Sequence, residues 1–310
     1  MDKLKNLQQN KQVKKLTKKS DKYKKFLFAR VGEHIESSIA KFMVEFSLSK
    51  RQNKKVLRQI EKHFLKNKKS QKIPQIHLVI AQAGAGKSVV SKQIIKSNPN
   101  TVHIDTDLFK QFNPLARHII EHCPEYYAQL TALDCYLHRD YLYKKILAKK
   151  YNVVIEITPS TKQGLFNVDF ESLNNQGYKI CAHIISVCKQ NSLLSVHERY
   201  EKQLEQNYIS PKLSDFARAT DSFYAVMQVV DMLCQKQNIE VLLYDRQGQK
   251  ICCDKNLVKQ KYSQLQQIDF VETKPTIEQR INCIENKMKA RTAPQVQIRQ
   301  FEKIKKEIQN

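Results

Sequence analysis

The chain has 310 residues, of which 41% are hydrophobic, and a formal net charge of +24 at neutral pH. This length is enough for one sizeable α/β domain with added helical segments, or for two modest domains. No stretch of about 18 apolar residues occurs, so a transmembrane helix is not expected. The lysine-rich start lacks the apolar core of a secretory signal, and we therefore expect a cytoplasmic protein without membrane contact.

The basic excess is concentrated in the first 75 residues, which carry 22 Lys and Arg against 6 Asp and Glu. Two interpretations stay open for this region. In the first, the region contacts nucleic acid, another polyanion or an acidic protein partner. In the second, it is a solvated and partly disordered arm. No nucleic-acid-binding motif accompanies the charge.

The eight cysteines show no C-x-x-C pair and no paired Cys/His spacing that suits zinc. Nothing in the sequence points to export. We therefore expect reduced, mostly buried thiols and no structural metal.

The N-terminal region is predicted to be helical. We expect residues 1–25 to be frayed, because lysine dominates and few apolar side chains anchor them. From Phe26 to Leu65, apolar residues recur at three- to five-residue intervals, which predicts two or three amphipathic helices. Residues 1–75 are interpreted as one basic helical region.

From residue 76 onward, apolar strands alternate with longer helical patterns. The predicted strands are, in chain order, IHLVIA, TVHID, NVVIEI, YKICAHIISV and IEVLLYD, and a hairpin follows with its turn at Gln247-Gly248. This alternation predicts an α/β fold with a mainly parallel sheet flanked by helices. We assign it to residues 76–266, and residues 267–310 to a helical tail interrupted at Ala293-Pro294.

The stretch AQAGAGKS, residues 81–88, lies between the first strand and a helical pattern. Its ending matches the P-loop G-x-x-x-x-G-K-[ST], but alanine stands at position 81, where the first glycine belongs. In a P-loop, backbone N–H groups at a helix N-terminus surround phosphates, the lysine reaches the β- and γ-phosphates, and the hydroxyl takes a magnesium position. The predicted metal ligand is Ser88, and the predicted nucleotide contacts are Gly84, Ala85, Gly86, Lys87, Ser88 and Val89.

Position 81 tolerates alanine if its φ is negative, whereas we expect Gly84 and Gly86 to lie where a Cβ would obstruct the phosphates. The alternative is a strand-to-helix turn that only resembles a phosphate loop. The order of strand, loop, lysine, serine and helix favours a P-loop of the NTPase type.

Carboxylates follow two further strands. Asp105 and Asp107 end the second strand, and Glu156 ends the third. Because the carboxyl ends of parallel strands line the ligand crevice, these side chains are expected beside the P-loop. An aspartate at this place acts either as the general base for phosphoryl transfer or as the N-cap of the following helix. The sequence is compatible with one of the two aspartates in each role. For Glu156 the alternative is a partnered carboxylate at a strand exit.

The helical segment LLSVHERYEKQLEQ places Arg199 on its more polar face. An arginine here either belongs to a solvated helix face or neutralises a transferring phosphoryl group.

Together these segments resemble the zeta toxin family. The resemblance covers roughly residues 76–253 and is carried, in order, by AQAGAGKS, IDTDLFKQFNP, VVIEIT, HERYE and LLYDRQGQKI. The family comprises bacterial P-loop kinases of toxin–antitoxin systems, associated with ATP-dependent phosphorylation of UDP-N-acetylglucosamine. The resemblance implies ATP, Mg²⁺, a hydroxyl acceptor and a possible antitoxin partner.

The resemblance also implies residue roles. Lys87 and Ser88 match the loop lysine and the magnesium-binding hydroxyl, and Asp107 matches the general base. Arg199 matches an arginine that holds ATP phosphates, so Asp107, Lys87 and Arg199 form the predicted catalytic set. The implied substrate-binding residues are Asp140, which stands where the family has a glutamate, together with Glu156 and Thr158.

The sequence departs from the family pattern at two basic positions. The place of a second lid arginine falls at about Tyr208, with Arg218 as a replacement if it points inward, and Ser160 stands where an arginine follows the third strand. A kinase with another small-molecule or nucleic-acid-end acceptor and a non-catalytic nucleotide-binding protein therefore remain as alternatives.

Overall fold

The computed structural model describes residues 2–31, 37–162, 165, 168–206, 208, 211 and 213–309. The chain divides into two compact units. The first unit joins Met1–Lys68 to Ile104–Lys149, and the second joins Lys69–His103 to Lys150–Asn310. The predicted boundaries at residues 75 and 266 stay a prediction.

The α-helices of the described residues alternate with strands after residue 75, as the sequence pattern predicts. In chain order they are α1 (Asp2–Gln9), α2 (Lys11–Thr17), α3 (Asp21–Val31), α4 (Ser37–Phe46), α5 (Lys50–Leu65), α6 (Lys87–Ser97), α7 (Ala116–His122), α8 (Tyr127–Ala148), α9 (Phe170–Asn175), α10 (Lys189–Glu205), α11 (Phe216–Cys234), α12 (Lys255–Thr273), α13 (Ile277–Ala290) and α14 (Gln295–Gln309). The strands are β1 (Gln75–Ile80), β2 (Val102–Ile104), β3 (Val153–Ile157), β4 (Lys179–Ile185), β5 (Ile239–Tyr244) and β6 (Lys250–Cys252).

The first unit is helical and packs around α8. Leu133 of α8 lies in one apolar cluster with Leu27 and Val44 from α3 and α4. The prediction of a frayed start is wrong, because Leu4, at 0% exposure, and Val13, at 2%, are buried. The few apolar residues between the lysines are sufficient to anchor short helices. Residues 32–36, which fall inside the predicted helical stretch, lie outside the described residues.

A buried carboxylate completes this helical core. Asp134 on α8 is fully buried and accepts hydrogen bonds from the Leu48 backbone N–H at 3.1 Å, the Asn53 amide at 3.4 Å and the Asn113 amide at 3.3 Å. Burial raises the pKa of Asp134 to about 7, although these donors and Lys19 act in the opposite direction.

The second unit contains a six-stranded sheet in the order β2-β3-β1-β4-β5-β6. β1 pairs in parallel with β3 and β4, β4 pairs in parallel with β5, and β6 is antiparallel to β5. The predicted α/β fold with a mainly parallel sheet is therefore confirmed. The hairpin turn is also where the sequence predicts it, since the Gly248 N–H donates to the Asp245 carbonyl at 3.2 Å.

The tail helices α13 and α14 pack on α10 and α11 of the same unit. Phe301 and Ile304 bury against Leu194 and Val196. The interruption between α13 and α14 falls at the predicted Ala293-Pro294. Among the described residues, no helix combines the length and the apolar character that crossing a bilayer requires.

Candidate phosphate-binding site

The loop of residues 81–86 leaves β1 at its carboxyl end and leads directly into α6. Gly84 and Gly86 adopt left-handed φ angles of +82° and +88°. Within the described chain, positive φ at non-glycine residues occurs only at Asn67, Lys150 and Thr292, so Ala81 has none. The backbone at position 81 therefore accepts a Cβ, as the sequence argument required.

Gly84 has a second reason to be glycine. A Cβ at this position would lie 2.1 Å from the backbone oxygen of Ser192 and 3.1 Å from Cγ2 of Val196, both on α10. The sequence predicts that a Cβ at residue 84 obstructs the phosphates, and the structure adds a close contact with the backbone of α10. The loop thus passes too close to α10 for any side chain at residue 84.

Side chains from neighbouring segments fix the loop. The Gln82 amide donates to the Val187 carbonyl at 2.7 Å, and the Ala83 N–H donates to the Ser222 hydroxyl of α11 at 3.2 Å. These bonds orient the backbone before any ligand binds. Such preorganisation lowers the conformational cost of phosphate binding.

The lysine and the helix N-terminus have the arrangement that a phosphate site requires. Lys87 Nζ donates to the carbonyls of Ala81 and Gln82, each at 3.0 Å, so its ammonium lies over the loop. Gly86 is the N-cap of α6 and provides no side-chain cap. A helix N-terminus of this kind presents the positive end of the helix dipole, which favours an anion. Ser88, in the first turn of α6, is exposed.

Glu156 lies at the end of β3, the strand beside β1. Its carboxylate pairs with His103 Nε2 at 3.0 Å, and its side chain is 11% exposed. Burial by itself would raise the pKa of Glu156, but the hydrogen bond with His103 and the charge of Lys87 outweigh burial and lower it. Glu156 is thus a partnered carboxylate near Lys87, as the alternative interpretation of this residue expects, and its contact with a substrate stays a prediction.

Arg199 lies on α10 and is exposed. It follows Ser192 and Val196 by seven and three residues, and both of those residues face Gly84. Helical spacing therefore places Arg199 on the stripe of α10 that contacts the loop. Its neighbours in HERYE are held by the tail, because Arg280 pairs with Glu198 at 2.6 Å and Arg291 with Glu201 at 2.7 Å.

Arg218 of α11 points toward the end of β3. Its Nη2 donates to the Thr158 carbonyl at 2.7 Å, and Nη1 lies 3.4 Å from Asp221. The guanidinium is therefore held at the strand end that carries Glu156. Tyr208, the position of the absent lid arginine, is 54% exposed.

Arg246 was not selected from the sequence, although it is the arginine of the LLYDRQG segment. Its backbone oxygen approaches within 3.4 Å of a Cβ built on Gly86, so it borders the loop. One guanidinium nitrogen, Nη2, donates to Ser195 at 2.7 Å, whereas the buried Nη1 has no partner among the described residues. Burial and the nearby Arg280 lower the pKa of Arg246. A buried, unpaired N–H beside a phosphate loop is a candidate ligand contact.

The three remaining predicted carboxylates lie in the first unit. Asp105 caps the 3₁₀ helix Thr106–Phe112, because its carboxylate accepts the Asp107 N–H at 3.0 Å. Asp107 itself pairs with Lys110 Nζ at 2.6 Å. The capping role thus falls to Asp105, as one of the sequence alternatives allowed, and general-base chemistry at Asp107 stays a prediction. Asp140 pairs with Arg139 at 2.8 Å, and its substrate contact also stays a prediction.

Comparison with known proteins supports the same interpretation. The sequence model of the Zeta toxin family matches residues 61–257. Two similar proteins are Toxin zeta of Enterococcus hirae and Toxin zeta of Streptococcus pyogenes, each 24% identical over 237 residues. These alignments cover 70% of this chain, 73% of the first relative and 72% of the second.

A similar solved structure comes from a study of the PezAT chromosomal toxin-antitoxin system of Streptococcus pneumoniae. It has a TM-score of 0.58 and 20% identity, and the match covers 77% of this chain and 98% of the other. The likeness in structure supports the P-loop fold. The match of the family model covers more than half of the sequence, and the chain belongs to the zeta toxin family of P-loop kinase toxins.

Proposed function

We propose that this protein is an ATP-dependent kinase that transfers a phosphoryl group to a hydroxyl of a sugar nucleotide such as UDP-N-acetylglucosamine, in the bacterial cytoplasm. The observation that carries the proposal is the glycine loop with Lys87 lying over it at the N-terminus of α6. Glu156 and Arg218 add a carboxylate and a guanidinium at the end of the adjacent strand.

The residues present fit a nucleotide phosphate. Left-handed glycines at positions 84 and 86 let the loop backbone turn its N–H groups toward an anion, and α6 begins without a side-chain cap. The unpaired Nη1 of Arg246 adds a buried donor that a nucleotide oxygen or ring nitrogen would satisfy. Bound ATP with Mg²⁺ supplies the γ-phosphoryl group and neutralises part of its charge.

Residues of the chain have separate roles in the transfer reaction. Lys87 and Arg199 neutralise charge on the phosphate oxygens, and the Ser88 hydroxyl is a ligand for the metal. Asp107 accepts the proton of the acceptor hydroxyl while that oxygen bonds to phosphorus and the bond to the leaving phosphate oxygen breaks. The resemblance to the family assigns binding of the acceptor to Glu156, Thr158 and Asp140.

Transfer of labelled phosphate from ATP to UDP-N-acetylglucosamine by the purified chain tests this proposal. We expect product with the wild type and loss of product with Lys87→Ala, whereas Lys92→Ala, on an exposed position of the same helix, retains activity. ATP binding without transfer to any hydroxyl acceptor would instead support the non-catalytic alternative. Transfer to another small molecule or to a nucleic-acid end would support a kinase activity with a different acceptor.

We further propose that the basic first unit docks an acidic segment of an antitoxin. A cavity of about 570 Å³ in this unit is lined by six basic side chains and by no acidic one: Lys15, Lys18, Lys19, Lys50, Arg51 and Lys55. Burial lowers the pKa of Lys19 to about 8, so a bound carboxylate would favour its charged form. The toxin–antitoxin system of the solved relative provides a precedent for such a partner.

Co-purification with the product of a neighbouring gene tests the docking. The double variant Lys18→Glu/Lys55→Glu is expected to lose the partner, and Lys303→Glu on α14 is the control. Retained partner binding contradicts the proposal. A variant that keeps the protein partner but no longer binds an RNA oligonucleotide would assign the cavity to nucleic acid.

A further inference from the structure

The neighbouring strands β1, β4 and β5 carry a group of polar side chains inside the second unit. Sheet register pairs His77 with Cys181 and Cys181 with Glu240, so these three residues form one row across the strands. His183 follows two residues later on β4 and therefore projects from the same face. We call these four residues the strand cluster. The phosphate loop starts at the carboxyl end of β1, four residues after His77.

The potential ligand atoms converge. His77 Nδ1 and His183 Nε2 are 2.9 Å apart, and one ring nitrogen of each histidine and the Cys181 sulfur all lie within 4.8 Å of one another. Around a tetrahedral zinc ion, bond lengths of about 2.0–2.3 Å place such atoms roughly 3.3–3.6 Å apart. Small side-chain rotations are sufficient to reach that geometry. The Cys181 thiol is also hydrogen-bonded to Glu240, which brings a carboxylate to the same point.

The surroundings have the other features of a metal site. The second ring nitrogen of His183, Nδ1, is 3.0 Å from the Tyr244 hydroxyl, which fixes the orientation of the ring as outer partners do for metal-binding histidines. A cavity of about 370 Å³ opens onto the cluster and is lined by His77, Cys181 and Glu240. An ion therefore has an entry path, and water has access to a fourth position.

We propose that the strand cluster binds a divalent transition metal ion of the zinc type, with His77 Nδ1, His183 Nε2 and Cys181 Sγ as ligands and Glu240 or water in the fourth position. Two imidazoles and a thiolate favour zinc over the oxygen-seeking Mg²⁺ and Ca²⁺. Because the ligands come from adjacent strands, the ion would tie β1 to β4 within the sheet.

Metal binding replaces existing contacts, and the Cys181 thiolate together with the Glu240 carboxylate would balance the charge of a divalent ion. The hydrogen bond between the two imidazoles breaks, and the ring that donated it moves its proton to the nitrogen that faces away from the ion, so that both histidines bind as neutral imidazoles. For His183 that proton points to the Tyr244 oxygen. The thiol of Cys181 loses its proton to solvent as the sulfur–metal bond forms.

Cobalt titration of the full chain, reduced and without nucleotide, tests the site. We expect one equivalent of Co²⁺ with tetrahedral visible bands and a near-ultraviolet thiolate charge-transfer band, and displacement by Zn²⁺. Cys181→Ser is expected to abolish the charge-transfer band. Cys252→Ser/Cys253→Ser, which removes two more accessible cysteines, is expected to retain it. An oxygen-coordinated ion at Ser88 gives no thiolate band.

Three results would overturn the proposal: no cobalt uptake, a charge-transfer band that survives Cys181→Ser, or a band that the Cys252/Cys253 control removes. If Cys181→Ser fails to fold, His77→Gln tests the site instead, because His77 is only half-buried and its replacement disturbs the core less. That variant is expected to weaken cobalt binding by at least about 100-fold with an unchanged circular dichroism spectrum, and undiminished affinity contradicts the assignment. Tyr244→Phe is expected to weaken binding roughly 10- to 100-fold.

Discussion

Replacement of Gly84 by alanine probes the closest contact of the phosphate loop. The substitution adds one methyl group at a φ of +82° and directs it to a point 2.1 Å from the backbone oxygen of Ser192. Gly177 is a matched control. Its φ is +84°, and no described heavy atom lies within 4 Å of the Cβ that alanine would add.

The comparison separates two costs. A left-handed backbone costs an alanine about 1–2 kcal/mol, and this term applies to both sites. At Gly84, the clash with a backbone atom adds a term of about 1–3 kcal/mol or more, because neither the loop nor α10 yields without disturbing its neighbours. We therefore expect Gly177→Ala to lose about 1–2 kcal/mol in the free energy of unfolding, and Gly84→Ala about 2–5 kcal/mol.

Urea unfolding measures both free energies, and calorimetry with ATP measures binding. Gly84→Ala should bind ATP at least tenfold more weakly even at temperatures where it is folded, whereas Gly177→Ala should bind ATP as the wild type does. Equal destabilisation by the two substitutions, or normal ATP binding by Gly84→Ala, would refute the close approach of the loop to α10.

Three further outcomes are expected. Arg291→Ala leaves Glu201, whose side chain is 2% exposed, without its partner, and should lower the free energy of unfolding in urea by roughly 3–5 kcal/mol. Lys287→Ala is the control, because its partner Glu205 is 55% exposed, and it should lower that free energy by about 0–1 kcal/mol. Equal losses would contradict the buried ion pair. The pKa of Asp134 is about 7 in the folded state and lower in the unfolded state, so its contribution to the free energy of unfolding is complete below about pH 4 and diminishes as the pH rises to 7. The free energy of unfolding of the wild type, relative to that of Asp134→Asn, should therefore fall by an amount on the order of 4 kcal/mol over that range. A difference that does not change with pH would contradict the raised pKa. Asp107→Asn should reduce phosphoryl transfer about 10²- to 10⁴-fold with unchanged ATP affinity, and a smaller loss in a transfer assay would remove Asp107 as the base.

The fold was largely predictable because its signals are local. Apolar runs bounded by turn residues mark the strands, and the glycine at 248 marks the hairpin. The helices α1 and α2, in the stretch that was predicted to be frayed, were missed for a physical reason. Leu4 and Val13 are isolated among lysines in the sequence, and their anchoring depends on partners that are distant along the chain.

The site was predictable only where one segment carries its chemistry. AQAGAGKS shows its lysine and glycines in sequence order, but the contact of Gly84 with Ser192 joins residues about a hundred positions apart. The strand cluster illustrates the same limit. The spacing of cysteines and histidines in the sequence argued against a structural metal, whereas sheet register brings His77 beside Cys181.

Lys87 and its loop are proposed to support phosphorylation of a small-molecule hydroxyl. The most direct measurement is a mass-spectrometric comparison of metabolites from bacteria that express the wild type or Lys87→Ala. We expect a sugar nucleotide that carries one additional phosphoryl group in the wild type alone, together with growth arrest. Identical metabolite profiles with equal expression of the two proteins would contradict it.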